Sequence, residues 1–155
     1  MKDPHQNIFY YYKGQNKNEI QKERQLEDNT TKALINLLEF SDDKVLKLFL
    51  HKLGVIYNKE KVFFYLQRKI ESTTKQKVLL GISPEGKLTN SLSKNKDSRP
   101  DAFITSKFFS VLIENKIKGT LGSNQLSRHN KNFNGKIVIK SWQEIYVLLR
   151  EIIWT

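Results

Sequence analysis

A chain of 155 residues with 38% hydrophobic and 11% aromatic content has room for one domain around a single buried core. It contains no cysteine, which excludes disulfide scaffolds, zinc fingers and cysteine nucleophiles. Lysine and arginine number 27 against 16 aspartate and glutamate, a formal net charge of +11 that favours polyanionic partners. No apolar run approaches the ~20 residues that span a bilayer, and Met1-Lys2-Asp3-Pro4 does not open a signal peptide, so a cytoplasmic location is expected.

In chain order, residues 1–18 are polar and carry the triplet Tyr10-Tyr11-Tyr12, which offers rings for base stacking or a short strand. Leu26, Thr30, Ala33, Leu34, Leu37 and Leu38 recur at three- and four-residue spacing and predict a helix. Its cap lies at Asp28, Asn29 or Thr30, or the helix begins earlier, near Glu19. Ser41-Asp42-Asp43 opens a second helix with an apolar face of Val45, Leu46, Phe49, Leu50 and Leu53, ended by Gly54. Residues Lys59 to Ile70 place Val62, Phe63, Leu66 and Ile70 on one side and predict a third helix, with a strand over Val62–Leu66 as the alternative.

The period then changes. Val78–Ile82 and Asp101–Thr105 predict strands, Phe108–Ile117 a longer one, and residues 87–98 a loop carrying Lys87, Lys94 and Lys96. Ser123-Asn124 caps a helix to about Asn132, Lys136–Lys140 forms a strand, and Ser141 caps a last helix through Tyr146, Leu149 and Ile153. The order implies an α/β fold, a central mixed sheet flanked by helices, with no repeat and no interdomain linker. The apolar end Ile152-Ile153-Trp154-Thr155 is expected of a docked terminus or of a fragment of a longer protein.

In the strand ending Leu112-Ile113-Glu114-Asn115-Lys116, the two-residue period puts Glu114 and Lys116 on one face with Leu112. Taken alone, these read as ordinary charges on the solvated face of an edge strand. Asp101, after Pro100, starts the preceding strand, and a turn at Ser106-Lys107 would bring it beside Glu114 at one end of the sheet. Two carboxylates so placed repel unless a cation lies between them, and their hard oxygens suit Mg²⁺, with Mn²⁺ able to substitute. The main-chain carbonyl of Asn115 could add a ligand, and Lys116 would orient the attacking water or stabilise developing phosphate charge.

Pro100-Asp101 followed by Glu114-Asn115-Lys116 resembles the motif of the PD-(D/E)XK nuclease superfamily, with its restriction-endonuclease-like core. The likeness extends over about residues 24–153, because the order of helices and strands also agrees, apart from an extra helical insertion at 42–70. The resemblance implies Mg²⁺-dependent hydrolysis of phosphodiester bonds, in DNA before RNA, by an endonuclease with Asp101, Glu114 and Lys116 as its core. Members often carry a glutamate on the first helix that reaches the metal, often through water; Glu27 is the candidate metal-site residue here, with Glu23 one turn earlier as a substitute, and a helix-start carboxylate is the other reading of Glu27. RecB-type members place a glutamine four residues before a tyrosine on the helix after the motif. Here Gln125 precedes His129, implying that Gln125 bonds Lys116 or the metal shell and that His129 meets phosphate.

Arg99, Lys118, Arg128 and Lys131, with Lys94 and Lys96, surround the motif in sequence and are expected to hold a nucleic-acid backbone. A homodimer or a place in a larger assembly is compatible with the same charge. The competing class is a non-catalytic nucleic-acid-binding module, which has no use for a complete Asp/Glu/Lys set. A binder of acidic proteins draws on net charge alone.

Overall fold

The computed structural model describes residues 18–68, 71–90 and 99–154; Tyr10, Tyr11, Tyr12, Lys94 and Lys96 lie outside them. Helix α1 runs Glu19–Phe40, because Asn18 caps it by accepting from the Gln21 N–H at 2.9 Å. The early start is therefore the one adopted. Its buried face is rotated from the expected stripe: Thr31, Leu34, Ile35 and Leu38 face inward, while Leu26 is exposed. Helix α2, Asp43–Lys52, begins at Asp42, whose carboxylate accepts from the Lys44 N–H. It ends where Gly54 takes the left-handed conformation (φ +80°).

The third helix expected over 59–70 does not form. Phe63–Leu66 is strand β1, paired antiparallel with β4 (Ala102–Thr105). Helical spacing of Val62, Phe63 and Leu66 misled, because Phe64 and Leu66 alternate with Phe63 and Tyr65 across the pleat and only the former pair enters the main core. The insertion at 42–70 is thus one helix and one edge strand.

Strand β2, Gln76–Ser83, and β5, Phe109–Asn115, pair in parallel, and β7, Lys136–Ser141, pairs in parallel on the other side of β2. The sheet has the order β1-β4-β5-β2-β7, with β4 antiparallel to β5. A second parallel ladder joins β3 (Leu88–Thr89) to β6 (Leu121–Gly122), inside a stretch expected to be loop. Helix α3, Ser123–Phe133, follows β6 with Gly122 rather than Ser123 at its N-cap. Helix α4, Trp142–Trp154, starts at a reciprocal cap in which Ser141 Oγ accepts from the Glu144 N–H and Glu144 Oε2 from the Ser141 N–H.

One face of the sheet buries Val78, Leu80, Ile82, Ile104, Val111 and Ile113 in a cluster with apolar residues of α1, α2 and α4. On the other face, Leu79, Phe103 and Leu112 pack with Leu126 and Phe133 of α3. Among the described residues no helix is long and apolar enough to cross a membrane. Phe49 of α2 is fully buried in the larger cluster. Phe49→Ala is expected to cost about 3–5 kcal/mol, read as a lower urea midpoint with an unchanged m-value.

Candidate active site

The antiparallel register of β4 and β5 pairs Ala102 with Ile113, so one step further out Asp101 lies across from Glu114 on the face that carries Phe103 and Leu112. Asp101 is fixed from two sides. Its backbone N–H donates to the Ile113 carbonyl, and its Oδ2 accepts from the Asn115 N–H at 2.7 Å. Gly81 of β2 stands beside Glu114 in the parallel register, and a methyl group there would meet Leu121 Cδ1 at 2.8 Å. The missing side chain lets β6 close over the strand next to the carboxylate.

Asp101 and Glu114 line a cleft of about 200 Å³ at the end of the sheet. Glu27, Asp28, Asp101 and Glu114 face Arg24, Arg99 and Lys116 within it, an excess of one negative charge in a protein whose net charge is +11. Burial, then the Glu114 charge, pushes the Asp101 carboxyl well above the ordinary range, against the Asn115 N–H that lowers it. Burial raises Glu27 as well, opposed by Lys116.

The other expected residues divide clearly. Lys116 Nζ lies 3.5 Å from Glu27 Oε2, and Glu27 Oε1 accepts from the Ile117 N–H at 3.4 Å, so α1 reaches the motif through Glu27. Glu23 instead pairs with Lys118, away from the cleft lining. Gln125 donates to Glu114 Oε1, so of its two expected partners it takes the carboxylate expected in the metal shell and not Lys116. His129 is only 8% exposed and turns inward, its Nε2 3.2 Å from Glu114 Oε2. Its burial beneath the carboxylate removes it from the rim where a phosphate would be met. Arg99 is at the rim, whereas Arg128 and Lys131 are exposed on α3 outside the cleft lining.

Asn115 has the structural role that its place in the motif did not announce. Its side-chain amide donates to the Glu27 carbonyl at 3.1 Å and to Thr31 Oγ1 at 2.9 Å. Its Oδ1 accepts from Trp142 Nε1 at 3.0 Å, and the same indole lies 3.1 Å from the Lys116 carbonyl. With the side chain so engaged, the carbonyl is the group of Asn115 left for a ligand. Trp142, Thr31, Arg24 and Gln67 were not singled out from sequence, and Asp28 was read only as a possible helix cap. The indole at the helix start after Ser141 was the one available signal, since a buried Trp N–H needs an acceptor.

The donor set fits a hard divalent cation. Asp101 and Glu114 oppose each other, and Glu114 Oε2 is buried without a hydrogen-bond partner among the described residues, its approach to His129 being close but unaligned. Among the described residues no three His, Asp or Glu side chains converge to encircle an ion, so water and substrate oxygens would complete the shell.

Asn115→Ala is expected to lower stability by about 2–4 kcal/mol in urea unfolding, because it removes the buried bonds to the Glu27 carbonyl and Thr31 Oγ1 and leaves the half-buried indole only the Lys116 carbonyl. The raised carboxyl of Asp101 gives the second prediction. The folded state holds that proton to higher pH than the unfolded chain, so stability falls as pH rises from the ordinary carboxylate range through the raised value. Asp101→Asn is therefore expected to raise the thermal midpoint at neutral pH, at ~2–4 °C per kcal/mol relieved, with the gain vanishing below the ordinary carboxylate pKa. Millimolar Mg²⁺ or Mn²⁺ is expected to raise the midpoint of the wild-type protein and leave that of Asp101→Asn unmoved. Comparison of the chain with family models, with curated proteins and with solved structures gives no match.

Proposed function

We infer that the chain is a metal-dependent nuclease of the PD-(D/E)XK kind with a restriction-endonuclease-like core, hydrolysing phosphodiester bonds, in DNA before RNA. One observation carries the reading: Asp101 and Glu114 converge across adjacent strands in an acidic cleft that also holds Lys116 and Glu27. In a protein of net charge +11, this cleft sets four carboxyl groups against three cationic side chains, and a cation bound among the carboxylates would turn it into a phosphate site.

Asp101, Glu114 and the Asn115 carbonyl are the groups that would hold Mg²⁺, which supplies charge neutralisation and polarises the scissile phosphate. The rest is done by the chain. Asn115 N–H holds the Asp101 carboxylate in place, and Gln125 holds Glu114. Glu27 keeps Lys116 turned toward the cleft, where its ammonium stabilises negative charge growing on the phosphoryl oxygens during in-line attack by water. Arg24 and Arg99 at the mouth meet the flanking phosphates, with Lys118, Arg128 and Lys131 adding a more distant field.

The test is incubation with plasmid, linear and single-stranded DNA and with RNA, with and without Mg²⁺ or Mn²⁺. Asp101→Ala, Glu114→Ala and Lys116→Ala are each expected to lose at least ~100-fold in cleavage rate while circular dichroism stays native. Substantial metal-dependent cleavage by all three variants would sink the assignment.

A further inference from the structure

The face of the sheet that carries the two carboxylates continues outward onto β1. The register pairs Tyr65 with Phe103 and Phe63 with Thr105, so Phe63 and Tyr65 share a face with Asp101 and Glu114. Helix α3 covers this face only near the middle, through Leu126 and Phe133, and Phe63 at the edge is left 44% exposed. Each ring has a cation over it. Lys61 Nζ lies 5.1 Å from the centre of the Phe63 ring, and the Arg68 guanidinium lies 5.3 Å from that of Tyr65.

The direction of the strand matters as much as its surface. β1 runs toward the cleft: the N–H of Gln67, just past its end, donates to the Asp101 carbonyl at 3.1 Å, and Gln67 lines the cleft. Phe63 and Tyr65 therefore form a same-face row that leads to Gln67, where the backbone turns (φ +50°) and bonds the carbonyl of a proposed metal ligand. Same-face neighbours on a strand are about 6.6–7 Å apart, twice the ~3.4 Å step of bases stacked within a duplex. Such spacing suits bases that are unstacked from one another and laid on protein rings. A duplex hides its base faces and has little to offer this row; a single strand exposes them.

We propose that the β1 edge is a stacking track for single-stranded nucleic acid, with Phe63 and the Arg68–Tyr65 pair receiving bases and Lys61 their phosphates, leading the strand into the cleft. The inference rests on the nuclease reading for what happens at the end of the track, but its test does not. Binding of a fluorescent oligothymidylate and of a blunt duplex is measured by anisotropy in EDTA, where no metal-dependent cleavage can occur. Phe63→Ala is expected to weaken oligothymidylate binding roughly tenfold, Phe63→Trp to retain it, and neither to change duplex binding. Wild-type affinity of Phe63→Ala for the oligothymidylate would overturn the track, as would equal loss on both probes. So would a fall in oligomeric state by light scattering with binding unchanged, which would assign Phe63 to a contact between copies of the chain. Loss of the track with Mg²⁺-dependent cleavage intact leaves the nuclease reading standing, and selective single-strand binding without cleavage does the reverse.

Discussion

The end of β5 is held by one residue whose backbone N–H and both side-chain polar atoms are engaged. Asn115 gives its backbone N–H to Asp101, its side-chain amide to α1 and its side-chain oxygen to the indole of α4. A buried amide is costly unless all its bonds are made, so the two helices and the neighbouring strand have one mutual arrangement that satisfies it. Glu27, Lys116 and Asp101 take their positions from that arrangement. The site is thus set by a polar knot at the rim of the apolar core.

Electrostatics gives the same place its second character. Burial and Glu114 together make the charged form of Asp101 costly, and Lys116 is occupied partly by Glu27. The protein tolerates this because β2, β4 and β5 are fixed by large apolar clusters on both faces. Stability stored in the core is spent at one sheet end, where uncompensated carboxylates would give a cation its foothold.

Much of this was legible beforehand. The two-residue period placed Glu114 against a hydrophobic background, the short Ser106-Lys107 turn implied the hairpin, and the Ser141 and Asp42 caps announced α4 and α2. What failed did so for tertiary reasons. Apolar residues at 62, 63 and 66 fit a helix as well as a strand, and only the open edge of β4 decided between them. His129 shares a helix face with Gln125, but which way that face turns is fixed by Leu126 and Phe133 packing on the sheet. The knot around Asn115 joins residues up to 88 positions apart, beyond any local pattern.

That separation bears on how the molecule comes into being. Glu27 leaves the ribosome well before Trp142, while the central strand β2 is flanked by partners that both follow it in the chain. Contacts of such range close slowly, because loop entropy must be overcome before they return anything. A nascent chain can form α1 and α2 before the strands that carry Asp101 and Glu114 exist, and Asn115 gains its indole partner only when α4 docks. The order of synthesis therefore withholds the finished site until β5 and α4 have followed α1.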